Sequence, residues 1–123
     1  MSKQSIVRLN AKVSVNPKDW DTFRQMVSET KSIVESEGPD SVLLHECYFE
    51  PATFQCLIIE AYTNEAAFLN HLELIKPLSA SYKADWKIDR LELLGPFSEN
   101  VVAAMRQGRS ENAFFYYPAS LPA

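Results

Sequence analysis

Cysteine, glycine and histidine are scarce in this chain, and long apolar runs and runs of positive charge are missing. Of its 123 residues only 2 are cysteine, 3 glycine and 2 histidine. Two cysteines cannot build a disulfide framework, so Cys47 and Cys56 read as buried thiols of a reducing compartment. A disulfide between them is not expected, because directly opposed strand cysteines need strained geometry. Three glycines leave no room for a Gly-rich phosphate loop and exclude low complexity. Twelve Lys and Arg against sixteen Asp and Glu give a net charge of -4 without any basic run, which argues against a nucleic-acid partner. No apolar segment approaches the roughly 18 residues of a membrane span. The start, MSKQSIVRLNAKV, lacks the apolar h-region of a signal peptide. The expectation is a cytoplasmic protein without a membrane partner.

What the chain does contain is patterned. Hydrophobic residues make up 46% and charged residues 23%, the balance of a folded single domain. From Ile6 to Val15 apolar and polar residues alternate, with Val7, Leu9, Ala11, Val13 and Val15 on one face, which predicts a strand. Asn16-Pro17 then supplies a helix start. Trp20, Phe23, Val27, Thr30 and Val34 recur at helical spacing until Gly38-Pro39 ends the run. SVLLHECYFE and FQCLIIEAY, separated by Pro51-Ala52-Thr53, read as a hairpin. Thr63-Asn64 opens a second helix with Phe68, His71, Leu72 and Ile75 on one face, interrupted at Pro77 and followed by a shorter helical piece through Tyr82. WKIDRLELL, from Trp86, makes a fourth strand that Gly95-Pro96 closes.

The order β-α-β-β-α-β is that of a ferredoxin-like α+β sandwich, an antiparallel sheet with both helices on one face. Residues of the other face, Leu44, Leu57 and Ile59, are too apolar for water, and a second copy of the sheet would cover them. A homodimer is expected. Residues 1–97 form this domain. Residues 98–123 extend it with a short helix stopped by Gly108 and an aromatic run, Phe114 to Tyr117, expected to pack on the dimer.

With a turn centred on Pro51-Ala52, the hairpin would set Phe49 opposite Phe54, Cys47 opposite Cys56, His45 opposite Ile58 and Leu43 opposite Glu60. His45, Cys47, Cys56, Glu60 and Tyr62 then share the face toward the helices, and His71 points at it. The expected cavity has Phe49, Phe54 and Phe68 as walls and Trp86 or Tyr82 near its cap. Buried polar groups of this kind need partners, so an inward histidine fits a hydrogen-bonded core residue as readily as a catalyst. His45, Cys47, Cys56, Glu60 and His71 are good ligand types, but no CxxC or HxxxH spacing occurs and no metal is expected.

A glutamate, an aromatic two residues on, and a histidine late in the following helix are here Glu60, Tyr62 and His71. Together with Gly38-Pro39 and Pro51, this pattern resembles the antibiotic biosynthesis monooxygenase (ABM) domain, a dimeric α+β barrel, over about Ile6 to Phe97. The resemblance implies a cofactor-independent monooxygenase oxidising a small electron-rich aromatic, a quinol or anthrone, with O2. In that reading His71 is the base, Glu60 its orienting partner and Tyr62 a substrate contact; His45, Phe68, Phe54, Phe49 and Trp86 line the ligand. His45 stands where many members look to have an aromatic residue, and the chain runs past their usual end. The alternatives are a non-catalytic ligand-binding or stress-associated dimer, and an isomerase of the autoinducer-2 degradation type. The latter is suggested by Glu60-Ala61-Tyr62 and Gly95-Pro96 but would want a cation in its pocket, and only Arg8, Lys12 and Arg90 lie on strands. Haem-degrading relatives of the fold use an asparagine, a tryptophan and a histidine. Asn10 and His71 imitate two of these, whereas Tyr62 stands where the tryptophan is expected, so neither haem nor flavin is anticipated.

Overall fold

In the computed structural model, which describes residues 5–121, the predicted strands and helices are present, with the helical piece after Pro77 continuous with the helix before it. Strand β1 (Val7–Val15) buries Val7, Leu9, Ala11, Val13 and Val15 and turns Arg8, Asn10, Lys12 and Ser14 outward, the period-two consequence of the pleat. The Asn16 side chain accepts a hydrogen bond from the Lys18 N–H and starts a short 3-10 turn, Pro17–Asp19, that leads into α1 (Trp20–Glu37). Helix α1 buries Phe23 and Met26 and ends at Gly38, whose φ of 89° is open to glycine and strained for other residues.

Strands β2 (Val42–Glu50) and β3 (Gln55–Tyr62) form the hairpin, in a register two residues from the expected one. Phe49 pairs with Cys56, Cys47 with Ile58 and His45 with Glu60. The reason lies in the connection: the turn occupies residues 51–54, with Phe54 at φ 55°, and is wider than the tight turn assumed from Pro51-Ala52. Because side chains alternate with period two, a shift of two keeps His45, Cys47, Cys56, Glu60 and Tyr62 on their predicted face; Leu43, expected on that face too, is 41% exposed, and Val42 is buried in its place. The shift also makes the two cysteines diagonal neighbours and brings His45 directly opposite Glu60. A bulge at Leu43 then resets the pairing so that Val42 meets Tyr62.

Helix α2 (Glu65–Ser81) begins at Asn64, whose side chain accepts from the Ala67 N–H. It runs through Pro77 without the expected break. Proline deprives the carbonyl four residues back of its donor; that carbonyl belongs to exposed Glu73, where water can replace it. Strand β4 (Trp86–Leu94) pairs antiparallel with β1.

Beyond Gly95 the chain adds α3 (Glu99–Arg106), capped by Ser98, and β5 (Phe114–Tyr117), which pairs parallel with β4. The aromatic run is thus a strand of its own chain's sheet, in the order β2-β3-β1-β4-β5. Val102 and Phe114 join the core, and Phe97 and Tyr116 continue it from Phe68 through edge-to-face ring contacts of 5.4 and 6.3 Å. The first four and last two positions of the expected domain and extension lie outside the described residues.

Candidate functional site

Four elements meet at one end of the sheet. Strand β2 presents His45, β3 presents Glu60 and Tyr62 two residues apart on the inner face, α2 lowers His71, and the last residue of α1 supplies Glu37. The pleat explains Glu60 and Tyr62, and helical spacing from Phe68 explains His71, which is 1% exposed. Nδ1 of His71 lies 2.8 Å from Oε1 of Glu37, both side chains being 1% exposed. The Tyr62 hydroxyl donates a hydrogen bond to Oε1 of Glu60. Glu60 Oε2 stands 3.9 Å from Nε2 of His45. The His71 ring is centred 5.3 Å from that of His45 and 5.4 Å from that of Tyr62, and Phe68 closes the group with its ring 5.4 Å from Tyr62.

Electrostatics follow from burial. Loss of solvent pushes the His45 imidazole down to about 4, helped by the neighbouring His71 and Lys31, so the ring is neutral near pH 7. Burial raises the Glu60 carboxyl, opposed by the Tyr62 hydrogen bond and by His71. Burial raises the Tyr62 phenol too, reinforced by Glu60. Among the described residues, three buried side-chain atoms have no hydrogen-bond partner: Glu37 Oε2, His45 Nδ1 and His71 Nε2. All three belong to this cluster. Native structures rarely leave such atoms unpaired, and here they are concentrated in one cluster.

The predicted site residues divide into two groups. His45, Glu60, Tyr62, Phe68 and His71 come together as described. Phe49, Phe54 and Trp86 lie toward the hairpin turn, where Trp20 contacts Phe49 at 5.2 Å and Phe54 at 5.4 Å, and Phe23 contacts Trp86 at 5.7 Å. Beside them a cavity of about 500 Å³ opens between α1 and the hairpin, with Trp20, Phe23, Phe49, Cys47 and Cys56 among its walls and Arg24 and Lys31 as its cations. The histidines are not on its lining. Lys31 links the two regions, since its ammonium donates to the His45 carbonyl at 3.1 Å.

Sequence reasoning missed Glu37, the hydrogen-bond partner of His71, and gave that role to Glu60. A signal was present: Glu37 stands three residues beyond Val34, on the stripe already carrying Phe23 and Thr30. The same holds for Arg24 and Lys31, overlooked because cations were sought on strands alone. Arg8 and Lys12 face outward, and Arg90 is bound to Glu92 at 2.8 Å. Asn10 also lies on the outer face, donating to Glu92 at 3.2 Å, so it shares no site with His71.

No protein-family model matches the chain, and no curated protein matches it. Solved structures do. The fold is that of the antibiotic biosynthesis monooxygenases: a structure bearing that name superposes with a TM-score of 0.53 at 15% identity, over 75% of this chain and 99% of its own. A provisionally named antibiotic biosynthesis monooxygenase from Caulobacter crescentus gives 0.57 at 14%, over 77% and 92%. MupZ from Pseudomonas fluorescens gives 0.70 at 16%, over 94% of this chain and 91% of MupZ. Coverage of 94% is reached only if the match runs past residue 97, so MupZ shares structure with the C-terminal extension as well. No helix among the described residues is long and apolar enough to cross a membrane.

Proposed function

We propose that the protein is a cofactor-independent monooxygenase acting on a small electron-rich aromatic, a quinol or anthrone, with the buried Glu37–His71 pair as its base. The observation that carries this reading is the state of His71: one ring nitrogen is held by a carboxylate and the other is buried and unpartnered. A hydrogen bond from Nδ1–H to Glu37 fixes the tautomer with the lone pair on Nε2 and stabilises the imidazolium that proton uptake creates. The aromatic cavity receives the ring of the substrate, with Phe49 and Trp20 as its walls. His71 is not on that lining, so this reading requires the histidine cluster to open toward the bound ring.

In this reading His71 removes a proton from an activated ring CH2 of the anthrone type. The resulting carbanion gives one electron to O2, and the radical and superoxide combine to form the C–O bond of a peroxide. Loss of the second C–H proton and cleavage of the O–O bond leave C=O and water. The net change, CH2 + O2 to C=O + H2O, balances without flavin or metal. Protein groups supply a base, hydrogen bonds and exclusion of water. Two copies associate sheet to sheet through Leu44, Leu57 and Ile59, and the C-terminal extension packs on that dimer.

Oxygen uptake with a panel of quinols and anthrones, run beside His71→Ala, tests the mechanism. Uptake that persists unchanged in the variant removes His71 from it. A second reading, a ligand-binding dimer without catalysis, draws on the absence of the histidines from the cavity lining. It is supported if an anthrone quenches Trp20 fluorescence without any oxygen consumption.

A further inference from the structure

The cluster of His45, Glu60 and His71 has a property that base catalysis does not use. One donor atom from each residue lies within 4.8 Å of the other two. His71 is held as a metal-bound histidine is held: a carboxylate, Glu37, contacts Nδ1 and leaves Nε2 buried and without a hydrogen-bond partner. Glu60 is oriented as well, because Tyr62 occupies Oε1 and leaves Oε2 toward His45. We propose that His45, Glu60 and His71 form a mononuclear site for a divalent transition metal of the zinc class, with Glu37 and Tyr62 as the positioning residues behind the ligands.

Three physical arguments converge on a metal ion. Two imidazoles and one carboxylate are the donor types that zinc and its neighbours prefer. Two carboxylates, Glu37 and Glu60, are buried within one cluster, with side-chain exposures of 1% and 12%, and a small dication offsets charge that solvent cannot reach. The third is size. His45 is 6% and His71 1% exposed at the side chain, so the donor atoms face a small, buried space on the scale of an ion. Metal–ligand bonds of about 2.0–2.2 Å bring donor atoms to roughly 3.5 Å from one another, so the three side chains close by about 1 Å on binding. The different elements that carry them, two paired strands and a helix, explain why no ligand spacing is visible along the chain.

A bound metal takes the His71 lone pair on which the oxygenase reading depends, so the metal-filled and base-active states exclude each other. The inference does not rest on that reading. The full chain, stripped with a chelator and dialysed, is titrated with Co2+ while visible d–d absorbance is recorded, and with Zn2+ in a calorimeter. One ion per chain is expected. His45→Asn and Glu60→Gln each lower the affinity at least about 100-fold, while Glu37→Gln lowers it about tenfold and keeps the stoichiometry. Circular dichroism shows which variants are folded, and His45→Asn serves where His71→Ala fails to fold. Cys47→Ser and Cys56→Ser leave binding unchanged. No binding by the wild type, binding that survives His45→Asn and Glu60→Gln, or binding lost with the cysteines overturns the assignment. Oxygen uptake by the stripped protein is a separate measurement, so either idea can fail without the other.

Discussion

Glu37 and His71 join the end of α1 to the middle of α2 through a 2.8 Å contact that solvent does not reach. Glu37→Ala leaves the buried Nδ1 of His71 without its partner, which should lower unfolding free energy by about 2 kcal/mol, the usual cost of an unsatisfied buried polar group. Glu37→Gln can keep one hydrogen bond and should cost roughly half as much. Urea denaturation of the two variants checks both figures; equal stability of all three proteins would show that the contact contributes nothing to folding.

The outer sheet face carries Leu57 at 44% exposure and Tyr48 at 57%, paired across the β2–β3 ladder. If a second copy covers this face, Leu57→Glu should shift sedimentation from dimer to monomer without loss of secondary structure. The buried charge would cost a few kcal/mol at each of two symmetry-related positions. A wild-type monomer at micromolar concentration speaks against the sheet-to-sheet dimer.

Thiol reactivity should separate the fold from its unfolded chain. Burial pushes the Cys56 thiol up to about 12, with Cys47 adding to the shift, and Cys47 is raised by burial too. Only the thiolate reacts, so alkylation of native Cys56 at pH 8 should be roughly a thousandfold slower than that of an ordinary cysteine. Iodoacetamide labelling followed by mass spectrometry, with and without denaturant, measures the ratio. Fast native labelling would mean that the cavity wall opens readily.

Gly95 sits where β4 ends, at φ 107°, and a Cβ placed on it would lie 2.7 Å from the Ile6 carbonyl oxygen. Both the backbone conformation and the close approach oppose a side chain, so Gly95→Ala should lose at least about 2 kcal/mol. Thermal unfolding reads this as a fall in Tm of several degrees. Gly38, which has open space around its Cα, should lose less on the same substitution.

Much of the fold was legible because its signals are local. Alternation along Val7–Val15, the Asn16 and Asn64 caps and the Gly95-Pro96 stop each act within a few residues. The hairpin faces were legible too, since a register error of two leaves them intact. What could not be read was long-range. That Phe54 would adopt a positive φ and widen the turn decides whether Glu60 meets Leu43 or His45, and no composition rule signals it. The choice between Glu37 and Glu60 as partner of His71 depends on how α1 ends against α2, a tertiary matter. For the tail, the sequence showed aromatics in need of cover but not that β4 would provide it.

The parallel pairing of β5 with β4 determines how this protein can be handled. The Leu91 N–H donates to the Ala113 carbonyl and the Gly95 N–H to the Tyr117 carbonyl, at 2.8 and 2.9 Å. A truncation at residue 97, natural to anyone counting four strands, would strip those acceptors and make the nine-residue β4 the sheet edge in place of the four-residue β5. Such an edge is a template for foreign strands, and the shortened chain would be prone to aggregate. Fusion tags and cleavage sites therefore belong after β5, beyond the short strand that covers β4.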